Sequence, residues 1–271
     1  MVKVTASGAS GFDMRELDFT ILFEGVRYVE RRNLIEVHYG MGYVDSFSGT
    51  GFRYDSSGVP VGGTVKSYRL MYGDQPLVKI EGLNIAVTRI VDAAVTSSRA
   101  DDTRLVQGVL SGKDTFLGSN GGDVVMGYGG NDRLDGKGGN DVLKGGTGND
   151  ILIGGAGRDT LFGNGGADTF VFNRVSDSGR SLGTADVIKD FSRAQRDKID
   201  LSGIDADTKS AGNNAFEFIG DDEFHGKAGE LRYEKSGKTT IVEGDVDGDG
   251  SADFVIKVQG AIDFQKSDFM L

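Results

Sequence analysis

Seven aspartates, Asp114, Asp123, Asp132, Asp141, Asp150, Asp159 and Asp168, return at nine-residue intervals across residues 109–171, and the register never slips. Two residues after each stands one large apolar side chain: Phe116, Val125, Leu134, Leu143, Leu152, Leu161 and Phe170. The unit is G-G-x-G-x-D-x-U-x, where U is a large apolar residue. A carboxylate repeated among glycines suits a hard cation. Calcium takes roughly six to eight oxygens, of which one carboxylate supplies only one or two, so backbone carbonyls must supply the rest. Turning consecutive carbonyls toward one point needs backbone angles that a side chain obstructs. This assigns glycines before five of the aspartates, Gly121, Gly130, Gly139, Gly148 and Gly157, to the same metal sites. A flexible linker is the alternative, but a linker has no reason to hold an apolar residue in phase with an aspartate through seven units.

The period also dictates the elements. Each unit divides into a turn and a short strand whose central side chain points inward. Two units make one coil, and coils stack as parallel strands around a thin core of U residues. Aspartates two units apart then flank one ion: Asp114 with Asp132, Asp123 with Asp141, Asp132 with Asp150, Asp141 with Asp159, and Asp150 with Asp168. About five calcium ions would offset most of a net charge of −11. The first unit, "VLSGKDTFL", lacks both leading glycines and sets Lys113 beside its aspartate, which makes its site the weakest.

The acidity is concentrated where the repeats are. Residues 1–104 carry 12 basic and 13 acidic side chains, residues 105–271 carry 18 and 28. Such a surface repels nucleic acid and anionic membranes and attracts cations. The absence of cysteine excludes disulfides, thiolate metal sites and thiol catalysis. The start, "MVKVTASGASGFDMRELDFTIL", has no basic segment leading into an apolar run, and no stretch approaches the roughly 18–20 apolar residues of a membrane span. The expectation is a chain that stays in the cytoplasm or leaves by a route that reads another signal.

These nonapeptides resemble the RTX repeats of calcium-dependent secreted bacterial proteins. "DTFVFNRVSDS", "ADVIKDFSRAQRDKIDLSGIDAD" and "GDVDGDGSADFVIKV", running to the terminal "DFML", resemble the C-terminal domain of the serralysin metalloproteases across residues 168–271. The resemblance implies a calcium-loaded parallel β-roll with an antiparallel β cap and an address for the type I secretion machinery. Asp268, Phe269, Met270 and Leu271, one acidic residue followed by apolar ones, match the end of that address. Serralysins bind zinc through H-E-x-x-H-x-x-G-x-x-H. This chain has only His38 and His225, neither in such a motif, so the protease activity does not carry over.

A second calcium-loop pattern lies in "DVDGDGSAD": Asp245, Asp247, Asp249, Gly250 and Asp253 at positions 1, 3, 5, 6 and 9, with Ile256 where a bidentate Glu normally closes the loop. A solvated acidic turn between the strands "TTIVE" and "DFVIKV" is the alternative. Asp190, Asp197 and Asp200 can hold an ion at the cap or face water.

The first hundred residues have β texture. "NLIEVHYG", "GFRYDSSGVPVGGTVKSYRLMYG" and "QPLVKIEGLNIAV" read as strands between Gly-rich turns, with a hairpin tip at "SSG". "IAVTRIVDAAV" reads as one amphipathic helix and "TSSRADDTRLVQGV" as the connection into the repeats. His38 near Glu36 and Asp45 is a candidate acid–base group. Arg31 with Arg32 is a candidate anion contact. Tyr39, Tyr43, Tyr54, Tyr68 and Tyr72 are candidates for a sugar-binding platform, and His38 with Tyr72 for a haem pair.

The expectation is therefore a mainly β protein in three parts: a small N-terminal β-rich cargo domain with one helix (1–104), a calcium-bound parallel β-roll (105–171), and an antiparallel β cap with a type I secretion signal (172–271). The function expected is that of a secreted, extracellular calcium-binding protein whose C-terminal module folds on extracellular calcium. Its N-terminal part would bind a glycan or cell-surface ligand. An extracellular hydrolase with its active site in residues 1–104 is the alternative. No nucleic acid or membrane span is expected.

Overall fold

The computed structural model describes residues 1–8, 11–16, 22, 25, 27–95 and 99–271. The nonapeptides build a two-sided stack. On one side β7 (Thr115–Leu117), β9 (Arg133–Asp135), β11 (Ile151–Ile153) and β13 (Thr169–Val171) pair in parallel. On the other β8 (Val124–Met126), β10 (Val142–Thr147) and β12 (Thr160–Gly165) do the same. The register advances by two units at every step, so Phe116, Leu134, Leu152 and Phe170 form one inward column. Val125, Leu143 and Leu161 form the other. Leu143, Leu152, Leu161 and Phe170 are 0% exposed. Such short strands suffice because each donates only one side chain to this thin core, and the coil above and below completes its burial.

Both sheets continue past the repeats. The first runs on through β15 (Lys198–Asp200) to β20 (Phe269–Met270). The second runs on through β14 (Asp186–Ile188) and β19 (Phe254–Gln259) to β18 (Thr239–Asp245), β17 (Glu230–Ser236) and β16 (Glu217–Gly220). Strands β17, β18 and β19 are antiparallel, forming the expected cap, and pack Phe216, Tyr233, Phe254, Phe264 and Phe269 against the end of the stack.

At the opposite end β1 (Lys3–Ala6) pairs in parallel with β7 and antiparallel with β6 (Gln75–Ala86). From β6 the sheet extends through β5 (Pro60–Tyr72), β4 (Tyr43–Tyr54), β3 (Leu34–His38) and β2 (Arg27–Arg31), each pair antiparallel. Among the described residues, twelve strands thus form one continuous sheet running from the N-terminal part into the roll. The helix expected over 85–95 is α1 (Val87–Ala94). The stretch expected as a plain connection contains a second helix, α2 (Arg99–Val109), packed on α1. Leu105 with Val109 and Val106 with Leu110 recur four residues apart, and Leu105, Val106 and Leu110 are buried against the sheet. Charged residues around so short an apolar set masked the period in the sequence.

Candidate metal centre

Each marker aspartate stands just before a short strand, and its side chain reaches back to the preceding coil. The backbone N–H of Asp114 donates to Oδ1 of Asp132 (2.8 Å), that of Asp123 to Asp141 (2.7 Å) and that of Asp132 to Asp150 (2.8 Å). The ladder continues from Asp141 to Asp159 (2.8 Å) and from Asp150 to Asp168 (2.9 Å). All five expected pairs are thereby brought together. The second oxygen tells more. Oδ2 of Asp114, Asp132, Asp141, Asp150, Asp159 and Asp168 is buried with no hydrogen-bond partner. A buried, unpaired carboxylate oxygen is costly unless a cation or a proton meets it. Asp123 differs: its Oδ2 accepts the Ser119 N–H (2.7 Å).

The surroundings of these oxygens fit a cation. A Cβ on Gly127 would come within 2.5 Å of Asp132 Oδ2 and would collide with the Gly145 carbonyl. On Gly136 it would strike Asp141 Oδ2 and approach the Gly154 carbonyl at 2.7 Å. Glycine here leaves a cradle where a carboxylate oxygen and a backbone carbonyl of the next coil converge, the mixed oxygen set that calcium takes. The glycines named from the repeat do something else as well. Gly130, Gly139, Gly148 and Gly157 all have positive φ, and a Cβ on Gly148 or Gly157 would strike the carbonyl of Gly130 or Gly139 one coil earlier. They let the turns stack. Gly121 exchanges hydrogen bonds with the Ser119 hydroxyl (3.1 Å each way).

Burial pushes the carboxyls of Asp132, Asp141, Asp159 and Asp168 up to about 7, against the pull of the backbone N–H each accepts, and neighbouring carboxylates add to the rise. Asp114 and Asp150 are raised by burial too.

The ladder outruns the nonapeptides. Asp159 N–H donates to Asp186 Oδ1 (2.8 Å), and Asp186 Oδ2 is again buried without a partner. Burial, then the charge of Asp159, pushes Asp186 up to about 9. Asp168 N–H donates to Asp197 Oδ1 (3.0 Å), but Asp197 Oδ2 accepts the Ser192 N–H (2.8 Å), which ends the row. The nine-residue count missed Asp186 because longer loops stretch the step to 27 residues there. The signal was present in another form: Asp186 and Asp197 are each followed two residues later by isoleucine, Ile188 and Ile199, both 0% exposed. A second ladder also went unread. Oδ1 of Asn131, Asn140 and Asn149 accepts the backbone N–H of Asn149, Arg158 and Ala167, one coil on, at 2.8–2.9 Å.

Asp190 and Asp200 have protein partners: Asp190 accepts the N–H groups of Gly163 (2.9 Å) and Asn164 (3.0 Å), and Asp200 accepts Ser202 N–H (3.0 Å). In the loop between β18 and β19, carboxylate oxygens of Asp245, Asp247 and Asp253 lie within 4.8 Å of one another. Asp245 accepts the N–H groups of Gly248 (2.6 Å) and Gly250 (2.8 Å), and Asp253 accepts Val246 N–H (2.9 Å) and pairs with Arg180 (3.2 Å). Asp249 stands outside this group and accepts Ser251 N–H (2.7 Å). At the C-terminus Asp268 accepts Gln265 N–H (2.8 Å) and pairs with Arg193 (2.9 Å). Phe269 is buried, Met270 is exposed and Leu271 packs on the core.

The N-terminal candidates separate onto two faces. His38 stands opposite Val44 and, beyond it, Met71, whereas Tyr43 stands opposite Tyr72. Side chains alternate along a strand, so His38 and Tyr72 lie on opposite faces and form no haem pair. Asp45 stands opposite Val37, the neighbour of His38, and is likewise across the sheet from it. Glu36 does accompany His38 (3.4 Å). Asp45 is buried, and its two oxygens accept the hydroxyls of Tyr39 (2.7 Å) and Tyr68 (2.6 Å), so neither is directed to a substrate. Tyr54 donates to the carbonyl of Arg31 (2.9 Å), and Arg32 uses its carbonyl to accept Phe52 N–H (2.9 Å). Tyr43 and Tyr72 are exposed, with ring centroids 4.9 Å apart.

Stacked two-unit coils with a repeated carboxylate ladder define a parallel β-roll of the RTX type. The model of the peptidase M10 serralysin C-terminal family matches residues 83–271, and the chain belongs to that family. Two solved subunits of the mannuronan C5-epimerase of Azotobacter vinelandii, AlgE6R3 and AlgE6R2, are similar at 28% and 30% identity. Each match covers 59% of this chain, with 78% and 86% of the subunit and TM-scores of 0.29 and 0.32. No curated protein matches the chain.

Proposed function

We propose that this is a secreted calcium-binding protein in which residues 105–171 form a calcium-loaded roll, residues 172–271 form its cap and carry a type I secretion signal, and residues 1–104 are a binding or adhesion cargo. The observation that carries the calcium reading is the row of buried Oδ2 atoms without partners, those of Asp132, Asp141, Asp150, Asp159 and Asp168 each beside a glycine. Asp114, Asp132, Asp141, Asp150, Asp159 and Asp168, joined by Asp186, would hold the ions. Bound calcium supplies the positive charge these carboxylates lack. The residues themselves fix the geometry: Oδ1 is held by the backbone of one coil, which turns Oδ2 toward the cradle.

The mechanism is linkage. Calcium binds the folded roll and not the unfolded chain, so each site adds RT ln(1 + [Ca]/Kd) to stability. At ten times Kd this is about 1.4 kcal/mol per site, and about 7 kcal/mol for five, comparable with the whole stability of a domain. At cytosolic calcium the contribution vanishes, and the module remains disordered and threadable. Outside, where modules of this kind bind at ~10⁻⁴ to 10⁻³ M, it folds. Family membership and the Asp268–Leu271 terminus support type I export. The exposed Tyr43–Tyr72 pair supports a glycan or surface ligand for the cargo, and the enclosure of Asp45 speaks against the hydrolase. The test is far-UV circular dichroism of the full chain through a calcium titration, with magnesium as control. A cooperative gain of β signal with calcium alone is the expected result. A roll already formed in chelator would refute the reading.

A further inference from the structure

Residues 1–8 and 11–14 reproduce the bonding of one repeat coil, with Val2 and Phe12 where the marker aspartates would stand. Val2 N–H donates to Asp114 Oδ1 and Phe12 N–H to Asp123 Oδ1, both at 2.5 Å, the bonds that Asp114 and Asp123 themselves make to the next coil. Thr115 N–H donates to the Val2 carbonyl (2.9 Å) and Val124 N–H to that of Phe12 (2.7 Å), as Arg133 does to Asp114 and Val142 to Asp123. Two residues beyond these stand-ins come Val4, in register with Phe116, and Met14, whose sulfur accepts Met126 N–H (3.3 Å); both are buried. Gly11 sits against the Gly122 carbonyl as Gly122 sits against that of Asn140. Phe12 stacks on Phe116, centroids 6.0 Å apart.

A stack of coils needs a terminal unit that covers its last core layer and ends the row. Here that unit also carries β1, whose other edge is hydrogen-bonded to β6. One strand therefore completes both the roll and the antiparallel sheet that runs from β6 to β2. Without the roll, β1 loses the partner strand on one side, Val2 and Phe12 lose their acceptors, and Val4 and Met14 lose the layer formed by Phe116 and Val125.

We infer that residues 1–8 and 11–14 act as a capping coil, without an aspartate at either marker position, through which the N-terminal sheet becomes ordered only when the roll has taken up calcium. This rests on the calcium reading above. It makes the cargo calcium-dependent although its described residues form no such ladder, because the coupling is mechanical and runs through β1 and the Phe12 to Met14 arm.

Hydrogen exchange of the full chain through a calcium titration, followed peptide by peptide, tests it. Residues 43–72 report the N-terminal sheet and residues 151–171 the roll. The expected result is protection of both at one calcium midpoint. In a Gly11→Val variant the new side chain strikes Gly122. There residues 151–171 retain their calcium response while residues 43–72 lose about tenfold in protection. Protection of residues 43–72 in chelator, with residues 151–171 still calcium-dependent, overturns this inference and leaves the calcium reading standing. Protection of both in chelator overturns the calcium reading as well.

Discussion

Asp159 separates charge from shape. Its Oδ1 holds the Asp141 N–H at 2.8 Å, its Oδ2 has no partner, and burial raises its carboxyl from 3.8 to about 7. At about pH 8 that rise of roughly three units opposes metal-free folding by at most about 4 kcal/mol, at about 1.36 kcal/mol per unit. Relaxation and solvent reduce this to about 2 kcal/mol. Asp159→Asn keeps the acceptor and removes the charge, so it relieves about 2 kcal/mol while deleting a site that gives about 1.4 kcal/mol at ten times Kd. The calcium midpoint of folding should then move little, while the steepness, which counts ions linked to folding, falls by about one. Asp159→Ala removes the acceptor too and leaves the buried Asp141 N–H unpaired, which costs about 1–3 kcal/mol more. Spread over about five ions, that moves the midpoint roughly twofold to higher calcium. Circular dichroism titrations of the three proteins measure both quantities. An Asn variant with wild-type steepness would show that Asp159 is not a ligand and refute the ladder as a calcium code.

Three other expectations follow from the same geometry. Gly136→Ala places a methyl on Asp141 Oδ2 and should raise the calcium midpoint, whereas Gly40→Ala, with open space around its Cβ, should not; the same titration compares them. Leu143→Ala, at a fully buried core position, should lower the urea stability of the calcium-loaded protein by about 2–5 kcal/mol. Asp132, Asp141, Asp159 and Asp168 are raised to about 7 in the fold, so metal-free folding loses stability as pH rises from about 4 to about 7. Calcium requires the ionised form, so its binding should release protons and tighten between about pH 5.5 and pH 8. Calorimetry in buffers of differing ionisation enthalpy detects this, and an affinity constant across that range contradicts it.

What was legible in the sequence was whatever shared the nine-residue period. Asp and U recur in phase because one turn geometry repeats, so both the two-unit coil and the five aspartate pairs could be read from spacing. Asp186 dropped out because the loop before it breaks the count, even though Asp186-x-Ile188 preserves the local pattern. The capping coil was hidden for a different reason: Val2 and Phe12 contribute backbone N–H groups, and any residue but proline has one. The N-terminal candidates failed on parity. His38 and Asp45 are close in sequence, but the turn between β3 and β4 sets their side chains on opposite faces.

The C-terminal residues place a condition on the order of events. Asp268 is held by Gln265 and Arg193, Phe269 is packed among Phe218 and Phe264, and the Met270 carbonyl accepts Leu201 N–H (2.8 Å). If export reads Asp268–Leu271, it must read them before β20 joins β15, because the folded roll encloses the acidic residue and the first apolar one. Under the proposed calcium linkage, the low calcium of the cytosol would meet that condition by leaving the ladder's carboxylates without counter-charge. Arg193→Ala, which frees one side of Asp268 in the folded state, should therefore leave export unchanged while destabilising the calcium-loaded fold modestly. A secretion assay alongside urea unfolding compares the two. A variant that unfolds no more easily but is exported less would show that the machinery recognises the folded terminus, and the proposed order would be wrong.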